Sequence, residues 1–231
     1  GEVVVAIWGR ESGFGSAKIP YSAVEVLATK AFMSTRKDMF RKELIAALHI
    51  VDGGDRTVEQ LKGSWAGALG QPQFLPSSIR SFAVDGDQDG HIDLRESATD
   101  AIFSVGNFLA SHGWQRGARI VLPAQVDDEN QVKPLIEAGI LPALDGKLLR
   151  QAGVRSDLSE QASELVTLVD MVSPGFPTEY WLGFENFYVI TRYNRSSFYA
   201  MSVFQLGEEI RNRLCAQLPA TAGNRARYCR A

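Results

Sequence analysis

One glutamate near the start of the chain stands where an acid–base catalyst could work. Residues 3–15 have the pattern of an apolar helix that runs into a glycine-rich turn, with Glu11 at the helix end. Glu11 shares a helix face with Val4, Ile7 and Trp8. Burial on such a face raises the pKa of a carboxyl group, as a general acid near neutral pH requires. Taken alone, the stretch favours a solvated glutamate at a helix end. The later segments of the chain make a catalytic role for Glu11 the better interpretation.

A second group of charged residues, over 85–96, matches the EF-hand calcium pattern D-x-D-x-D-G-x5-E at every position. In that pattern alternate side-chain oxygens converge on a hard cation, Gly90 permits a sharp turn, and the His91 carbonyl adds a ligand. The alternative is a solvated acidic turn. Sensor EF-hands open as helix pairs, and this sequence has one such loop, so we expect a structural calcium ion. The predicted side-chain ligands are Asp85, Asp87, Asp89 and Glu96.

A loop rich in small residues lies between these two groups, over 62–78. Its three glycines and two prolines cannot form a long regular element. Such backbone freedom lets a ligand approach the main chain closely. Ser64 and Gln73 are the side chains best suited to hydrogen-bond a polar ligand. A nucleophilic role for Ser64 is disfavoured, because the spacing is not G-x-S-x-G and no Asp/His partner is indicated.

The composition excludes several classes of protein. The chain has 231 residues, 45% hydrophobic and 22% charged, which is typical of a globular protein with a sizeable core. A net charge of −3 gives no reason to expect a nucleic-acid partner, and no apolar run reaches the length of a membrane span. Cys215 and Cys229 are consistent either with a disulfide or with free thiols. A basic cluster near the end of the chain contains Arg211, Arg213, Arg225, Arg227 and Arg230.

Hydrophobic spacing predicts a mostly helical framework for these groups. It predicts helices over 21–32, 37–51, 57–63, 77–84, 98–113 and 196–214. Between 116 and 177, short apolar segments separated by Pro, Gly and Asp predict strands at 119–122 and 165–169. Residues 180–213 are rich in aromatic side chains, which pack in cores and also stack on sugar rings. Because Gly1 begins in mid-helix without a Met or a cap, we expect that upstream residues have been removed.

Several stretches, in order, resemble the lytic murein transglycosylase B family, whose catalytic domain is similar to goose-type lysozyme. They are the segments 7–15, 62–78, 85–96, 100–114 and 180–194. The resemblance implies an α+β, mostly α-helical fold, with a lysozyme-like core, a small β-containing subdomain and one EF-hand-like loop. The expected division is a core over 1–115 with its loop at 85–100, a partly β insertion over 116–177, and a closing segment over 178–231 that completes the core and groove.

The resemblance also implies an activity, the non-hydrolytic cleavage of the β-1,4 bond between N-acetylmuramic acid and N-acetylglucosamine in peptidoglycan. Glu11 matches the single catalytic acid/base of these lyases, which leave a 1,6-anhydromuramoyl end. Residues that match groove positions are Ser64, Gln73, Phe74, Tyr193, Asn194 and Tyr199. Residues that match calcium ligands are Asp85, Asp87, Asp89 and His91. Relatives close the calcium loop with a residue that corresponds to Asp100, so Glu96 and Asp100 both remain candidates. Phe108 replaces a tyrosine that relatives often have in the groove.

The resemblance implies no organic cofactor and a structural calcium ion. It implies peptidoglycan strands as the partner, no nucleic acid, cell-wall synthesis or division proteins as further candidates, and a monomer. It implies a periplasmic location, with anchoring to the outer membrane through a segment absent from this chain. Two alternatives are a lysozyme-type peptidoglycan hydrolase, which would need a second carboxylate, and a non-catalytic, calcium-stabilised wall-binding module. Exo- and endo-cleavage, and bare or peptide-bearing glycan, all fit the sequence.

Overall fold

The structure is a computed structural model that describes residues 1–54, 56–159, 162–218 and 229. It combines helices and antiparallel strands, so the predicted α+β class is confirmed. By its contacts the chain divides into two compact units. Unit 1 comprises Gly1–Ser111 and Glu209–Ala231, and unit 2 comprises His112–Glu208. The three-part division with boundaries at 115 and 177 stays a prediction.

Unit 1 is mainly helical. Its helices are α1 (Glu2–Ser12), α2 (Ala23–Met33), α3 (Lys37–Asp52), α4 (Pro76–Phe82) and α5 (Ala98–Ser111). Strands β1 (Tyr21–Ser22) and β2 (Lys62–Gly63) pair antiparallel beside them. Helices α2 and α3 bury a cluster that includes Leu27, Phe40 and Leu61. The periodic apolar residues of the predicted helices therefore face this core.

One predicted helix of unit 1, over 57–63, is wrong. The segment turns instead and enters strand β2, where Lys62 and Gly63 pair with Ser22 and Tyr21. The capping-box contact that suggested a helix does form, since the Thr57 N–H donates to Oε1 of Gln60 at 2.8 Å. Because a turn can form this local contact as well as a helix can, the contact does not determine a helix. The pairing with β1 then keeps Lys62 and Gly63 extended.

A buried glutamate of α3 holds the end of the loop over 62–78. Glu43 is 7% exposed. Its two carboxylate oxygens accept hydrogen bonds from the Ser77 N–H at 2.9 Å and the Ser77 hydroxyl at 2.8 Å. Because helix α4 leaves its first N–H groups without helical partners, this carboxylate supplies one of the missing acceptors. The loop is therefore anchored to the helical core at its C-terminal end.

Unit 2 contains a four-stranded antiparallel sheet in the order β4-β3-β6-β5. Its strands are β3 (Val121–Val126), β4 (Val154–Arg155), β5 (Thr167–Met171) and β6 (Glu179–Gly183). Leu182 of β6 lies opposite both Leu122 and Leu168, which places an apolar row in the core. The predicted strands start two residues too early, and β6 had no predicted counterpart. Its helices are α6 (Glu129–Glu137), α7 (Gly146–Gln151), α8 (Glu185–Tyr193) and the first part of α9 (Ser197–Gln217).

The C-terminal part of the chain contains a disulfide between Cys215 and Cys229, which are 14 residues apart. This selects the bridged alternative over free thiols. In the basic cluster, Arg213 pairs with Glu209 at 2.6 Å, while Arg225, Arg227 and Arg230 lie outside the described residues. Among the helices that the structure describes, none has the length and apolar character needed to cross a membrane.

Candidate functional site

Glu11 lies in the last turn of helix α1 and is half-buried. On the predicted apolar stripe, Ile7 is fully buried, whereas Val4 and Trp8 are half-buried. The helix ends at Gly13, whose left-handed backbone (φ 57°) is favourable for glycine. The helix and its end were therefore predictable from the local pattern, whereas that pattern taken alone favoured a solvated glutamate and the carboxylate is half-buried.

The turn that follows Glu11 is held by the hydroxyl of Ser12, which is 1% exposed. The Ser12 hydroxyl donates to the Trp8 carbonyl at 3.0 Å and accepts from the Gly15 N–H at 3.0 Å. The backbone N–H of Ala17 also donates to the Ser12 carbonyl at 2.8 Å. Because the residue after Glu11 is bonded both to the helix and to the turn, the backbone that carries the carboxylate is well ordered.

Gln71, which its sequence pattern did not single out, contacts the helix that carries Glu11. It is 7% exposed, and its Oε1 accepts a hydrogen bond from the Trp8 indole N–H at 2.7 Å. Its Nε2 donates to the Arg95 carbonyl at 2.8 Å, and its backbone N–H donates to the Leu94 carbonyl at 2.7 Å. A side chain on Gly15 would clash with it, since a Cβ there would lie 2.8 Å from Oε1. Gln71 thus connects the helix of the candidate catalyst to the end of the acidic loop.

We expect Gln71→Leu to lower the free energy of unfolding by about 1–3 kcal/mol, because the Trp8 N–H and the Arg95 carbonyl both lose their partner. Urea denaturation measures this change. The matched control is Gln205→Leu, an exposed glutamine of α9, which should change stability by less than about 0.5 kcal/mol. Equal effects of the two substitutions would contradict the bridging role of Gln71.

The predicted ligand-binding residues of the loop over 62–78 are held by contacts within it. The Ser64 hydroxyl accepts from the N–H groups of Ala66 and Ala68, each at 3.3 Å. Gln73 has a positive φ of 52°, and its Nε2 donates to the Gly70 carbonyl at 2.9 Å. A positive φ in a residue other than glycine is unusual, and such positions cluster at functional sites. The loop therefore presents Ser64 and Gln73 in defined positions.

Phe74 is 3% exposed and contacts Phe108 of α5, with ring centroids 5.8 Å apart. Phe108 in turn meets Phe82 edge-to-face at 5.0 Å and is itself 6% exposed. Phe108, which the resemblance places where relatives often have a tyrosine, therefore belongs to an aromatic cluster, in which a hydroxyl would need a buried partner.

The remaining predicted groove residues belong to unit 2. Tyr193 ends helix α8, and Asn194, its exposed C-cap, has extended backbone. Tyr199 lies in α9 and stacks on Tyr193, with ring centroids 6.5 Å apart and an interplanar angle of 9°. The structure thus brings the two tyrosines together within unit 2, and the loop residues together within unit 1. That the two sets line one groove stays a prediction.

The acidic loop brings three of its predicted ligands together. One carboxylate oxygen each from Asp85, Asp87 and Asp100 lie within 4.8 Å of one another. Asp100 is 1% exposed, and its two oxygens accept from the N–H groups of Gly86 at 2.8 Å and Asp93 at 2.7 Å. Converging carboxylate oxygens are the donors that a hard cation such as calcium requires. The side chains therefore fit a metal of that class.

The other predicted ligands stand outside this triad. Asp89 is exposed, and its carboxylate accepts from the His91 N–H at 2.8 Å. The side chain of Glu96 is 75% exposed and pairs with Arg95 at 3.0 Å. Asp85 has an oxygen in the triad and also accepts from the loop N–H of Gly90 at 2.9 Å. Between the two candidates for closing the loop, Asp100 lies in the group of carboxylates and Glu96 does not.

Asp93, at the end of the acidic loop, is tied to the core by Arg56, whose guanidinium lies 3.0 Å from the carboxylate. Burial acts to raise the pKa of Asp93, but hydrogen bonds from the N–H groups of Glu96 and Arg95, together with Arg56, outweigh it and lower the pKa. A lowered pKa means that this carboxylate stabilises the fold above its unfolded pKa, and that the contribution is lost as the pH falls through its folded pKa.

Comparison with known proteins identifies the family. Residues 1–208 match the model of the transglycosylase SLT domain. The chain belongs to this family. Over 211 residues it is 36% identical to membrane-bound lytic murein transglycosylase B of Escherichia coli (strain K12), an alignment that covers 90% of this chain and 56% of the relative. The chain thus spans a little over half the length of that curated relative.

Solved structures of the same family share the fold. The soluble lytic transglycosylase SltB1 from Pseudomonas aeruginosa is 41% identical, with a TM-score of 0.83 over 92% of this chain and 70% of that one. Escherichia coli SLT35 in complex with calcium is 34% identical, with a TM-score of 0.81 over 92% and 66%. Pseudomonas aeruginosa SltB3 in complex with NAG-anhNAM-pentapeptide is 32% identical, with a TM-score of 0.74 over 90% and 56%. The resemblance to lytic transglycosylases noted from the sequence is confirmed.

Proposed function

We propose that this chain is a lytic transglycosylase that cleaves the β-1,4 bond between N-acetylmuramic acid and N-acetylglucosamine, with Glu11 as its acid/base. The observation that carries the proposal is the setting of Glu11. The carboxylate is half-buried at the end of α1, on backbone held by Ser12 and Gln71. It occurs in a chain that matches the transglycosylase SLT domain over residues 1–208. The name of the E. coli relative and the anhNAM ligand of the SltB3 complex support the same reaction.

The proposed chemistry needs only one carboxylate. Protonated Glu11 gives its proton to the glycosidic oxygen as the bond from that oxygen to C1 of the muramoyl sugar breaks. The C6 hydroxyl of the same sugar then attacks C1 and passes its proton to the Glu11 carboxylate, which restores the acid. Ordinary glycosidases use a second carboxylate to activate water or to act as nucleophile. Here the substrate supplies the nucleophile, so no water is consumed and the product is a 1,6-anhydromuramoyl end.

We further propose that two sets of residues bind sugars of the glycan strand. In unit 1 these are Ser64 and Gln73, which lie in the loop anchored by Glu43. Phe74, which was also predicted to line the groove, is buried against Phe108, so its proposed role is to support this loop. In unit 2 these are Tyr193, Asn194 and Tyr199. Tyr193 is half-buried and stacks on the buried Tyr199, and a tyrosine ring combines an apolar face with a polar tip, which suits sugar rings. The positive φ of Gln73 supports a role for the loop.

The acidic loop is proposed to hold calcium through Asp85, Asp87 and Asp100, with Asp89 and the His91 carbonyl as further ligands implied by the resemblance. When bound, the ion would supply positive charge that offsets the repulsion among the converging carboxylates. The triad and the calcium complex of the related SLT35 support this assignment. The proposed role is structural, because Gln71 connects the acidic loop at Arg95 to helix α1 at Trp8.

The proposed location is the periplasm, where peptidoglycan is found, and the proposed partner is the glycan strand. The Cys215–Cys229 disulfide fits this location, since such bonds persist in oxidising compartments. A monomeric state, binding to cell-wall synthesis or division proteins, and an anchor to the outer membrane stay predictions.

Digestion of purified peptidoglycan, followed by mass spectrometry of the fragments, tests the proposed function. We expect muropeptides with 1,6-anhydromuramoyl ends. Fragments with reducing ends, heavier by one water, would contradict the lyase and indicate a lysozyme-type hydrolase. Binding to peptidoglycan without any fragments would instead indicate a wall-binding module.

A further inference from the structure

Unit 1 contains a cavity whose lining does not include the residues proposed for catalysis and sugar binding. The cavity has a volume of about 300 Å³ and lies between the end of α3, helix α4 and the segment over 92–95. Its apolar lining includes Leu61, Leu69 and Ile79. A volume of this size accommodates a small ligand or a few residues of a peptide. Neither the proposed reaction nor the proposed calcium site uses this space.

The charges that line the cavity are mainly positive. The cationic residues are Arg56, Lys62, Arg80 and Arg95, against one acidic residue, Asp93. Arg56 is neutralised by Asp93 at 3.0 Å, and Arg95 by Glu96 at 3.0 Å.

The other two cations differ from this pair. Within the part of the chain that the structure describes, the side chains of Lys62 and Arg80 make no hydrogen bond or ion pair, and the longer-range electrostatic interaction of Lys62 is with the exposed Glu59. Lys62 is half-buried and Arg80 is exposed. The cavity therefore combines an apolar lining with two cations that have charge available for a ligand.

We propose that this cavity binds a peptide through a free carboxylate group. A guanidinium offers two parallel N–H donors that match the two oxygens of a carboxylate. An ammonium group is a compact positive charge that can donate a further hydrogen bond to the same carboxylate. An apolar lining favours a carboxylate attached to an aliphatic body over a fully hydrated inorganic anion. If the proposed function holds, the natural ligand is a stem peptide of peptidoglycan, since these peptides carry free carboxylates on short aliphatic residues.

The cavity is connected to the candidate catalytic helix by direct hydrogen bonds. Leu69, Leu94 and Arg95 all belong to its lining. The carbonyls of Leu94 and Arg95 accept from Gln71, and the Gln71 side chain accepts from Trp8 of α1. A peptide that holds Leu94 and Arg95 in place would therefore also support the helix that carries Glu11.

The experiment is a calorimetric titration of the protein with the free stem pentapeptide, in parallel with the same peptide amidated at every carboxylate. We expect the acid form to bind, and the amidated form to bind at least about tenfold more weakly because it cannot form charge-assisted bonds. The double variant Lys62→Gln/Arg80→Gln should show a similar loss for the acid form. Lys42→Gln, an exposed lysine of α3 outside the cavity, is the matched control and should bind as the parent does.

Each single variant is titrated too, with circular dichroism as a check of folding, so that a folding defect in the double variant does not decide the outcome. Amide chemical shifts locate the ligand, and we expect changes over 79–83 and 92–95. Equal binding of acid and amide, equal competition by inorganic phosphate, or loss of binding in Glu11→Gln would overturn the proposal. Because the titration involves no turnover, its result is independent of whether fragment analysis supports the lyase.

Discussion

Replacing Glu11 by glutamine is expected to abolish the release of 1,6-anhydromuramoyl fragments while leaving the fold intact. Glutamine has nearly the same shape as glutamate, but its amide neither gives nor takes a proton at neutral pH. A positioned general acid or base typically contributes about 10²–10⁴-fold to a rate. Since this carboxylate is proposed to act in both steps, we expect a loss of at least about 10³-fold. Mass spectrometry of fragments released from peptidoglycan over time measures the rate.

The matched control is Glu2→Gln, which changes a glutamate in the first turn of the same helix. It should release fragments at nearly the parental rate, and the melting temperatures of both variants should stay close to that of the parent. Release of anhydromuramoyl ends by Glu11→Gln at a parental rate would remove Glu11 from the proposed mechanism. A second carboxylate would then have to be sought.

Asp100→Asn is expected to remove the stabilisation of the protein by calcium. Asp100 is the most buried acid of the loop, and both of its oxygens accept backbone N–H groups, from Gly86 and Asp93. Asparagine keeps one acceptor oxygen and places an amide NH2 donor against the other N–H, which costs about 1–3 kcal/mol. Without metal, loss of one negative charge beside Asp85 and Asp87 relieves repulsion and offsets part of that cost. The quantity that tests the role of Asp100 is therefore the rise in Tm when calcium is added.

For the parent, calcium at about 100 times its dissociation constant should stabilise the fold by about 2.7 kcal/mol. In a chain of this size that corresponds to a rise of about 2–4 °C in Tm per kcal/mol. Asp100→Asn should lose most of this rise, while Glu96→Gln, in the exposed alternative ligand, should keep it. The reverse pattern would assign closure of the loop to Glu96. No calcium response in the parent would mean that the loop is an acidic turn.

Elements with a periodic apolar pattern were predictable from the sequence. Helix α3 was predicted over 37–51 and is observed at Lys37–Asp52, because a single helical repeat places Phe40 and Ala47 on the buried face. The segment over 57–63 failed, since its local capping contact is compatible with a turn and its pairing partner lies far away in β1. Strand β6 was missed because its aromatic residues fit a core or a binding surface equally well.

The chemical groups and their local geometry follow from short stretches of the sequence. Glu11 at the end of an apolar helix and the turn-rich loop over 62–78 are short-range features that are found where their spacing indicates, whereas the EF-hand pattern over 85–96 stays a prediction. The family resemblance rests on the order of these segments, and the match over residues 1–208 confirms it.

Contacts between groups that are distant in sequence depend on how the chain packs. Gln71 reaches Trp8 across 63 positions of sequence and Arg95 across 24, and no periodic pattern encodes such a pair. Asp100 joins Asp85 and Asp87 in the acidic triad because the first turn of α5 packs against the loop. Helix and turn formation depend on neighbours in sequence, whereas a hydrogen bond between remote side chains depends on how the core packs. The anchor of the Glu11 helix was therefore visible only after folding.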